Sequence, residues 1–491
     1  MQYAVDLSNP YRPRFPVQNG VNIYDPKQYL LQGYDNDTRY SPQVNLQGGA
    51  SIGKNYSWNG HFGVFEFGGK IRSAHKFNEP NDVFYKAVNP DALPMTNFLG
   101  SFTNSDYYGG SYQVGPTVDY NKFRAFAASN PGAFALDFNT TRLRNDPNVW
   151  DIVERVGSGY FQNSISFGKF RLYTGLRFEA TDEGVRGAIT HSSNGKYQST
   201  SSQTTSSSYL DPLPSAQLRY ALSSESGIRF AYGRGIARPD FFQLPPYLTL
   251  DDTRKSVSVG NPNLKPTHAN NYDVLYEHYL KPLGLVQAGF FYKDITDPIA
   301  RVRTKLTSGT YAGFNQTQYV NITSAHVAGF EISYQQRLSY LPGPMSALGI
   351  SANYSYTTSE ATGIPGRSDK PALLRQAPHT WNVSPTYDKG RISLRVGLAY
   401  NDANIFAYGY TDGADLGIKG PNGDQYLYTH FQADAQASIR LVKGFSAIVY
   451  GLNLNNEVFG FYQGSPIYVA QREYYKPTYA AGLRWSLTPE R

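Results

Sequence analysis

The 491-residue chain contains no cysteine, only three methionines and four tryptophans. Without cysteine it can form no disulfide framework, no thiolate metal site and no cysteine nucleophile. It also lacks any run near the roughly 18 consecutive apolar residues that a spanning helix requires. Charged residues make up 17% of the chain and the formal net charge of +7 is dilute, with no dense basic block, which argues against a nucleic-acid partner. Eight histidines form neither an i, i+4 pair nor HExxH, so the spacing that holds a metal is missing. There is no Walker A sequence, and Gly233-Arg234-Gly235 fails to complete GxGxxG because Arg238 stands where the third glycine belongs. No enzyme chemistry, metal or cofactor is therefore expected. Met1–Pro16 shows no basic stretch followed by an apolar one, so no secretory signal peptide is read there.

What is abundant is glycine (46), tyrosine (41) and phenylalanine (28), with a mean hydropathy of −0.47. The pattern is alternation. Ile228, Phe230 and Tyr232 alternate with Arg229, Ala231 and Gly233, and Tyr272, Val274 and Tyr276 with Asp273 and Glu277. Period two with unlike faces is the mark of a strand separating water from something apolar. Strands of this kind are expected at Gln43–Lys54, Gly60–Phe77, Asp151–Phe167, Phe170–Gly184, Tyr209–Ala221, Leu285–Ile295, Val327–Leu338, Ser346–Thr358, the Ile392–Leu398 run, Phe431–Ile439 and Tyr479–Leu487. Their connections alternate short and long. Asn55–Asn59, Gly168-Lys169, Ser223–Gly227, Lys281–Gly284, Tyr340–Pro344, Asp388–Gly390 and Lys443-Gly444 are tight, whereas Asn78–Trp150, His191–Ser208, the polar and aromatic loop within Arg234–Tyr279, Thr296–Thr323, Asp402–Tyr428 and Val458–Arg472 are long. Long loops gathered at one end are the habit of transmembrane barrels, whose turns lie at one rim and loops at the other; sandwiches and propellers have no such reason. The Ser/Thr-rich stretch from His191 to Ser208 reads as a mobile, solvated loop. Residues 1–41 read as an irregular opening, 42–487 as barrel strands and 488–491 as a tail.

Two motifs sharpen this. Ala237-Arg238-Pro239-Asp240-Phe241 is followed by Gly260-Asn261-Pro262-Asn263-Leu264-Lys265-Pro266, then by Asn271-Tyr272-Asp273 and Glu277. In order, spacing and strand context the pair resembles the barrel domain of TonB-dependent outer-membrane receptors. The two prolines of the second motif make it a rigid re-entry from loop to strand, which is architecture and not a ligand contact. The resemblance covers roughly Pro42–Leu487 and only the barrel. It implies an all-β, antiparallel transmembrane β-barrel fold, here about 15 or 16 strands of a larger barrel of about 22, with long extracellular loops and short periplasmic turns. Nothing resembling the family's plug is present, so a fragment with its first strand unpaired on one side is expected.

The resemblance implies an outer-membrane receptor for TonB-coupled uptake of a bulky nutrient of the iron–siderophore, oligosaccharide or cobalamin class. Its partners would be outer-membrane lipid and lipopolysaccharide, the nutrient, and the TonB system acting through a plug. In the long loop, Phe241, Phe242 and Tyr247 are candidates for stacking on a ligand ring, and Arg238 and Lys255 for its anionic groups. The same residues equally suit interfacial anchoring or contact with lipid phosphates. A passive diffusion channel and a surface adhesin remain the alternative functions.

Overall fold

Alternation becomes a wall. The structure, a computed structural model, describes residues 2–108, 110–409, 423–442 and 444–486. Fifteen of its strands form an antiparallel meander: β1 (Gln43–Trp58), β2 (His61–Ala87), β3 (Trp150–Phe167), β4 (Phe170–Ser193), β5 (Lys196–Ala221), β6 (Ser226–Ala237), β7 (Thr267–Leu280), β8 (Gly284–Thr296), β9 (Ser324–Arg337), β10 (Leu348–Thr362), β11 (His379–Lys389), β12 (Ile392–Asn401), β13 (His430–Val442), β14 (Phe445–Leu452) and β15 (Thr478–Trp485). Each pairs with its successor in chain order.

Register follows from turn chemistry. Asn59 (φ 51°) and Gly60 (φ 79°) close β1 onto β2 at the Trp58–His61 pair, the two-residue turn that Asn-Gly favours because both positions need positive φ. Tight connections fall at one end of the wall and long ones at the other, as the loop lengths predict. Lys443 and Leu487–Arg491, including the tail, lie outside the described residues.

The two faces differ as the alternation requires. Leu46, Ile71, Phe290 and Leu483, all outward, are 69%, 70%, 68% and 74% exposed. A water-soluble sheet would bury such a face, whereas here the buried apolar side chains gather among the long loops. One cluster joins Leu93, Phe98 and Phe134, a second Ile152, Val185, Leu244 and Leu264, and a third Ile322, Ala325, Ile364, Ile405 and Tyr408. The wall thus has an apolar outside, a polar inside and its core at the loop end. No described helix is long and apolar enough to cross a membrane.

The meander stays open. Among the described residues β1 pairs only with β2, and β15 only with β14, so the expected unpaired strand near Gln43 is found and no ladder joins the two edges.

Several connections hold more structure than their composition announces. The largest correction is His191–Ser208. Instead of a mobile loop it is a hairpin continuing the wall, with β4 and β5 running 24 and 26 residues to an Asn194-Gly195 turn at φ 49° and 71°. Serine and threonine leave both faces wet, but threonine favours the extended backbone and a ladder of that length supplies the pairing partners. Gly33–Tyr40, within the opening stretch, pairs with the far end of β2. Ile299–Lys305 and Asn315–Asn321 form a hairpin within the long loop after β8, and Leu248–Asp251 pairs with Ser256–Val259 in the loop after β6. The long loop after β2 carries two short helices, Tyr120–Ser129 and Phe138–Asn145, capped by the carboxylates of Asp119 and Asp137.

Candidate functional site in the outer loops

The loop from Arg238 to Pro266 does not stand free over the wall. Leu244, 1% exposed, packs with Ile152 and Val185 on the inward side of β3 and β4, and Phe241 leans on the same cluster. Gly260 lies so close to this turn that a Cβ there would come within 1.7 Å of the Pro245 carbonyl oxygen, so only glycine fits. The rest of that motif is scaffold, as its prolines suggest. Asn261 Nδ2 donates to the Tyr319 carbonyl (2.9 Å), and Lys265 exchanges two 2.9 Å hydrogen bonds with the Asn321 side chain.

Arg238 points into the inner wall. Its Nη2 donates to Glu179 Oε2 (2.7 Å) and Thr181 Oγ1 (2.9 Å), and Nε lies 3.8 Å from Glu154 Oε2. Glu179 is also held by Arg177 (2.6 Å), and Glu154 by Arg72. Glu154 and Glu183 are cross-strand partners and both nearly buried, a placement that repels unless cations intervene. Arg238 answers that need, with only 17% of its side chain exposed. Its guanidinium is engaged by the protein's own carboxylates, so the contact expected with an anionic ligand gives way to a loop anchor. Arg238→Met should leave Glu179 to Arg177 and Glu154 to Arg72, and so cost the loop about 1–3 kcal/mol. Limited proteolysis would report it as faster cutting within 240–259; unchanged cutting would deny the anchor.

The other predicted residues separate. Phe242 is half exposed and meets the Tyr319 ring edge to face at 5.7 Å. Tyr247 is half-buried, its carbonyl accepting from Gly260 N (3.1 Å). Lys255, exposed at the tip of the 248–259 hairpin with φ 49°, holds its ammonium 5.0 Å from the centre of the Phe314 ring. Phe242 and Lys255 stay accessible, while Arg238 and Phe241 turn inward.

A second place, unpredicted, collects more aromatic surface. The opening segment folds back on itself through the Tyr3–Val17 and Asp6–Arg14 bridges and lies against the Asn104–Val114 hairpin and the last long loop. Between them is an open recess of about 690 Å³, lined by Tyr11, Phe15, Tyr107, Tyr108, Tyr468 and Arg472, among others. The Tyr108 ring lies 4.6 Å from both Tyr107 and Tyr474. The Arg472 guanidinium lies 4.8 Å from the Tyr11 ring and 5.3 Å from Tyr428, and its Nε makes no hydrogen bond among the described residues. Arg12 Nη1 donates to Ser111 Oγ (2.9 Å), Tyr112 Oη to the Pro13 carbonyl (2.6 Å), and Lys476 pairs with Asp106 at 2.9 Å, so three separate segments are tied into one rim. Tyr468 is 64% exposed. Aromatic faces beside a cation, in a volume within the usual range for ligand pockets, suit a planar or anionic organic group. The signal was in the sequence, in the tyrosines of NSDYYGGSYQ and the aromatics of residues 3–15, but the three segments are too distant in the chain for spacing to join them. Among the described residues no group of three or more His, Cys, Asp or Glu side chains is placed to hold a metal ion.

Comparison with known proteins settles the class. The family model described as TonB dependent receptor-like, beta-barrel, matches residues 2–456. The chain belongs to the TonB-dependent receptor β-barrel family. Its members are outer-membrane receptors and transporters, and not enzymes. No curated protein matches the sequence. Solved structures share the fold: the ferric-catecholate import receptor Fiu from E. coli K12 at TM-score 0.57 and 15% identity, covering 92% of this chain and 55% of that one; the ferric citrate transporter FecA at 0.55 and 11%, covering 91% and 55%; and the siderophore receptor PirA from Acinetobacter baumannii at 0.54 and 14%, covering 91% and 55%. At such identities the likeness is one of fold alone. This receptor barrel spans about half the length of the solved receptors it matches.

Proposed function

We propose that this receptor barrel serves TonB-coupled uptake of a bulky nutrient across the outer membrane, and that its loops form the capture surface. The observation that carries the reading is the aromatic and cationic recess at the long-loop end of a wall whose outward face is apolar. Capture falls to that recess, with Phe242, Tyr247 and Lys255 as a second contact region and Arg238 as the anchor beneath it. Import receptors for ferric catecholate and ferric citrate share the fold, which favours an iron–siderophore complex over an oligosaccharide or a cobalamin as the class to test first. Coupling requires a plug that contacts TonB. The exposed apolar side chains of the wall's outer face support a position in lipid, and the long loops are assigned to the outer side.

The test is binding of ferric siderophores to the chain refolded in detergent micelles, read by quenching of intrinsic fluorescence. Tyr468→Ala with Arg472→Ala should weaken binding by about tenfold or more, since each stacking or cation–π contact in a partly desolvated site is worth roughly 1–2 kcal/mol. Equal affinity in the double variant, or no binding of any ligand in the three classes, would remove the recess from the capture surface.

A further inference from the structure

Seven acidic side chains are buried among the described residues, and six of them meet a nitrogen of Lys, Arg or His within ion-pair distance. Glu183 is the exception. It is 2% exposed and stands directly across from Glu154, 3% exposed, where β3 and β4 face inward. Arg72 and Arg238 both reach Glu154, whereas Glu183 is met by two neutral hydroxyls, Ser207 Oγ at 3.0 Å and Tyr209 Oη at 3.1 Å. Burial pushes the Tyr209 pKa up, so that hydroxyl keeps its proton and donates it. Glu179, the remaining charge nearby, is engaged by Arg177 and Arg238. The site lies on the loop side of the membrane. Glu183 stands fourteen residues past Lys169 at the short turn, about 35 Å along the barrel axis and beyond an apolar band about 25 Å tall.

A charge held out of water opposite a second charge of the same sign is far less favourable than a bound proton. Burial accordingly pushes the Glu183 pKa above the ordinary 4.5 and Glu154 adds to the rise, while the two hydroxyls and Arg238 oppose it without cancelling it. What keeps water away is the outer loop. Val185 and Gly187 follow Glu183 on the same face of β4; Leu244 packs on Val185, and Pro246 sits so near Gly187 that a Cβ there would come within 2.8 Å of it. We infer that Glu183 is a proton-binding site that governs the loop 238–266: protonated, it lies dry beneath the closed loop, and ionised, it favours an arrangement in which the loop lifts and admits water. The sign follows from linkage. A carboxyl whose pKa is raised in the closed arrangement stabilises that arrangement fully below the ordinary value, and the stabilisation is lost as pH rises through the raised one. Loop opening should therefore grow by up to about tenfold per pH unit between the two values and level off above them. Since Phe242, Tyr247 and Lys255 ride on this loop, acid would hold that surface in place and rising pH would free it. The inference depends on no outer ligand and holds or fails apart from the uptake reading.

The experiment uses the full chain refolded in detergent micelles. Because the sequence has no cysteine, Thr253→Cys at the exposed tip of the 248–259 hairpin takes a nitroxide label at one place only. The label should be held at acid pH and gain mobility as pH rises past the ordinary glutamate value. Glu183→Gln keeps the size and neutrality of the protonated acid, so in that background the label should stay held throughout. Glu154→Gln removes the facing charge and should move the transition to lower pH, a displacement that mere loss of packing would not produce. Infrared spectra supply a second readout: a protonated-carboxyl band, absent from Glu183→Gln, should persist above the ordinary value and fade as the label loosens. Absence of that band above the ordinary value would overturn the proposal. So would a mobility transition that survives unchanged in Glu183→Gln, or a loop that this variant loosens at every pH, since the charge itself would then be what the fold requires.

Discussion

Replacing Arg367 with alanine is expected to loosen the outer loops by about 3–5 kcal/mol, the range for breaking a buried ion pair from one side. The Arg367 side chain is 2% exposed and that of Asp424 is 1%. Arg367 Nη1 and Nη2 meet the two oxygens of Asp424 at 2.5 and 3.1 Å, while Nε and Nη2 hold Asp369 at 2.9 and 2.6 Å. Its guanidinium lies 5.4 Å from the centre of the Tyr408 ring, and Asp424 also accepts from Gly409 N at 2.5 Å. Burial alone pulls the Arg367 pKa down, but the hydrogen bonds to Asp369 and Asp424 overcome it and raise it above the ordinary value. Tyr408 is pushed up to about 12, chiefly by burial, and stays a neutral ring beneath the cation. One side chain therefore clasps the loop after β10 to the loop after β12, and alanine would strand the Asp424 charge in an apolar place. Hydrogen exchange at 404–409 and 423–427 should accelerate accordingly; unchanged protection would show that the apolar cluster of Ile364 and Ile405 suffices. The clasp also has a pH signature. Hydrogen bonds from Arg367 lower the Asp369 pKa below its ordinary 3.8, against an opposing pull from burial. The stability this contributes is complete above the ordinary value and is lost as pH falls through the lowered one. Wild-type protection should hold from neutral pH down to about 4 and decay below it, and that part of the acid sensitivity should vanish with Arg367.

The contrast between wall and loops explains what could be read from the sequence. Wall strands such as β12 announce themselves because one face must be apolar at every second residue, and Ile392, Leu394, Val396 and Leu398 carry that rule without exception. Short turns carry their own chemistry, as Asn59-Gly60 does. The loops obey no period. The 191–208 hairpin was hidden because serine and threonine on both faces resemble a disordered tract, although Asn194-Gly195 marks its turn. The candidate site was legible only in residue type. Phe242 and Lys255 are accessible as their loop position suggests, but the basic residue singled out with them, Arg238, has its partners Glu154 and Glu179 more than fifty residues away on two other strands. Pairing of that kind depends on register, and register is not visible in a single strand. The aromatic recess has the same history, since Tyr11, Tyr108 and Arg472 are brought together only when residues from both ends of the chain meet.

Register also decides which substitution the wall should refuse. Val396 and Leu394 face outward on β12 and are 38% and 43% exposed, while Arg395 between them faces inward, opposite Gln436 of β13. Val396 stands six residues beyond Gly390 at the short turn. At about 3.3 Å per residue and a strand tilt near 40°, that is about 15 Å along the barrel axis, close to the middle of an apolar band about 25 Å tall. An arginine there would have to carry its charge into hydrocarbon, and Val396→Arg should cost about 2–4 kcal/mol. The control is Asn353, exposed on the inner face of β10 opposite Ser333 and Asn382. Asn353→Arg puts the same side chain into water and should change stability by no more than about 0.5 kcal/mol. Guanidinium unfolding of the chain in phospholipid vesicles would compare the two. Were both arginines tolerated equally, or the inner one resisted more, then the face assigned to lipid would be wrong.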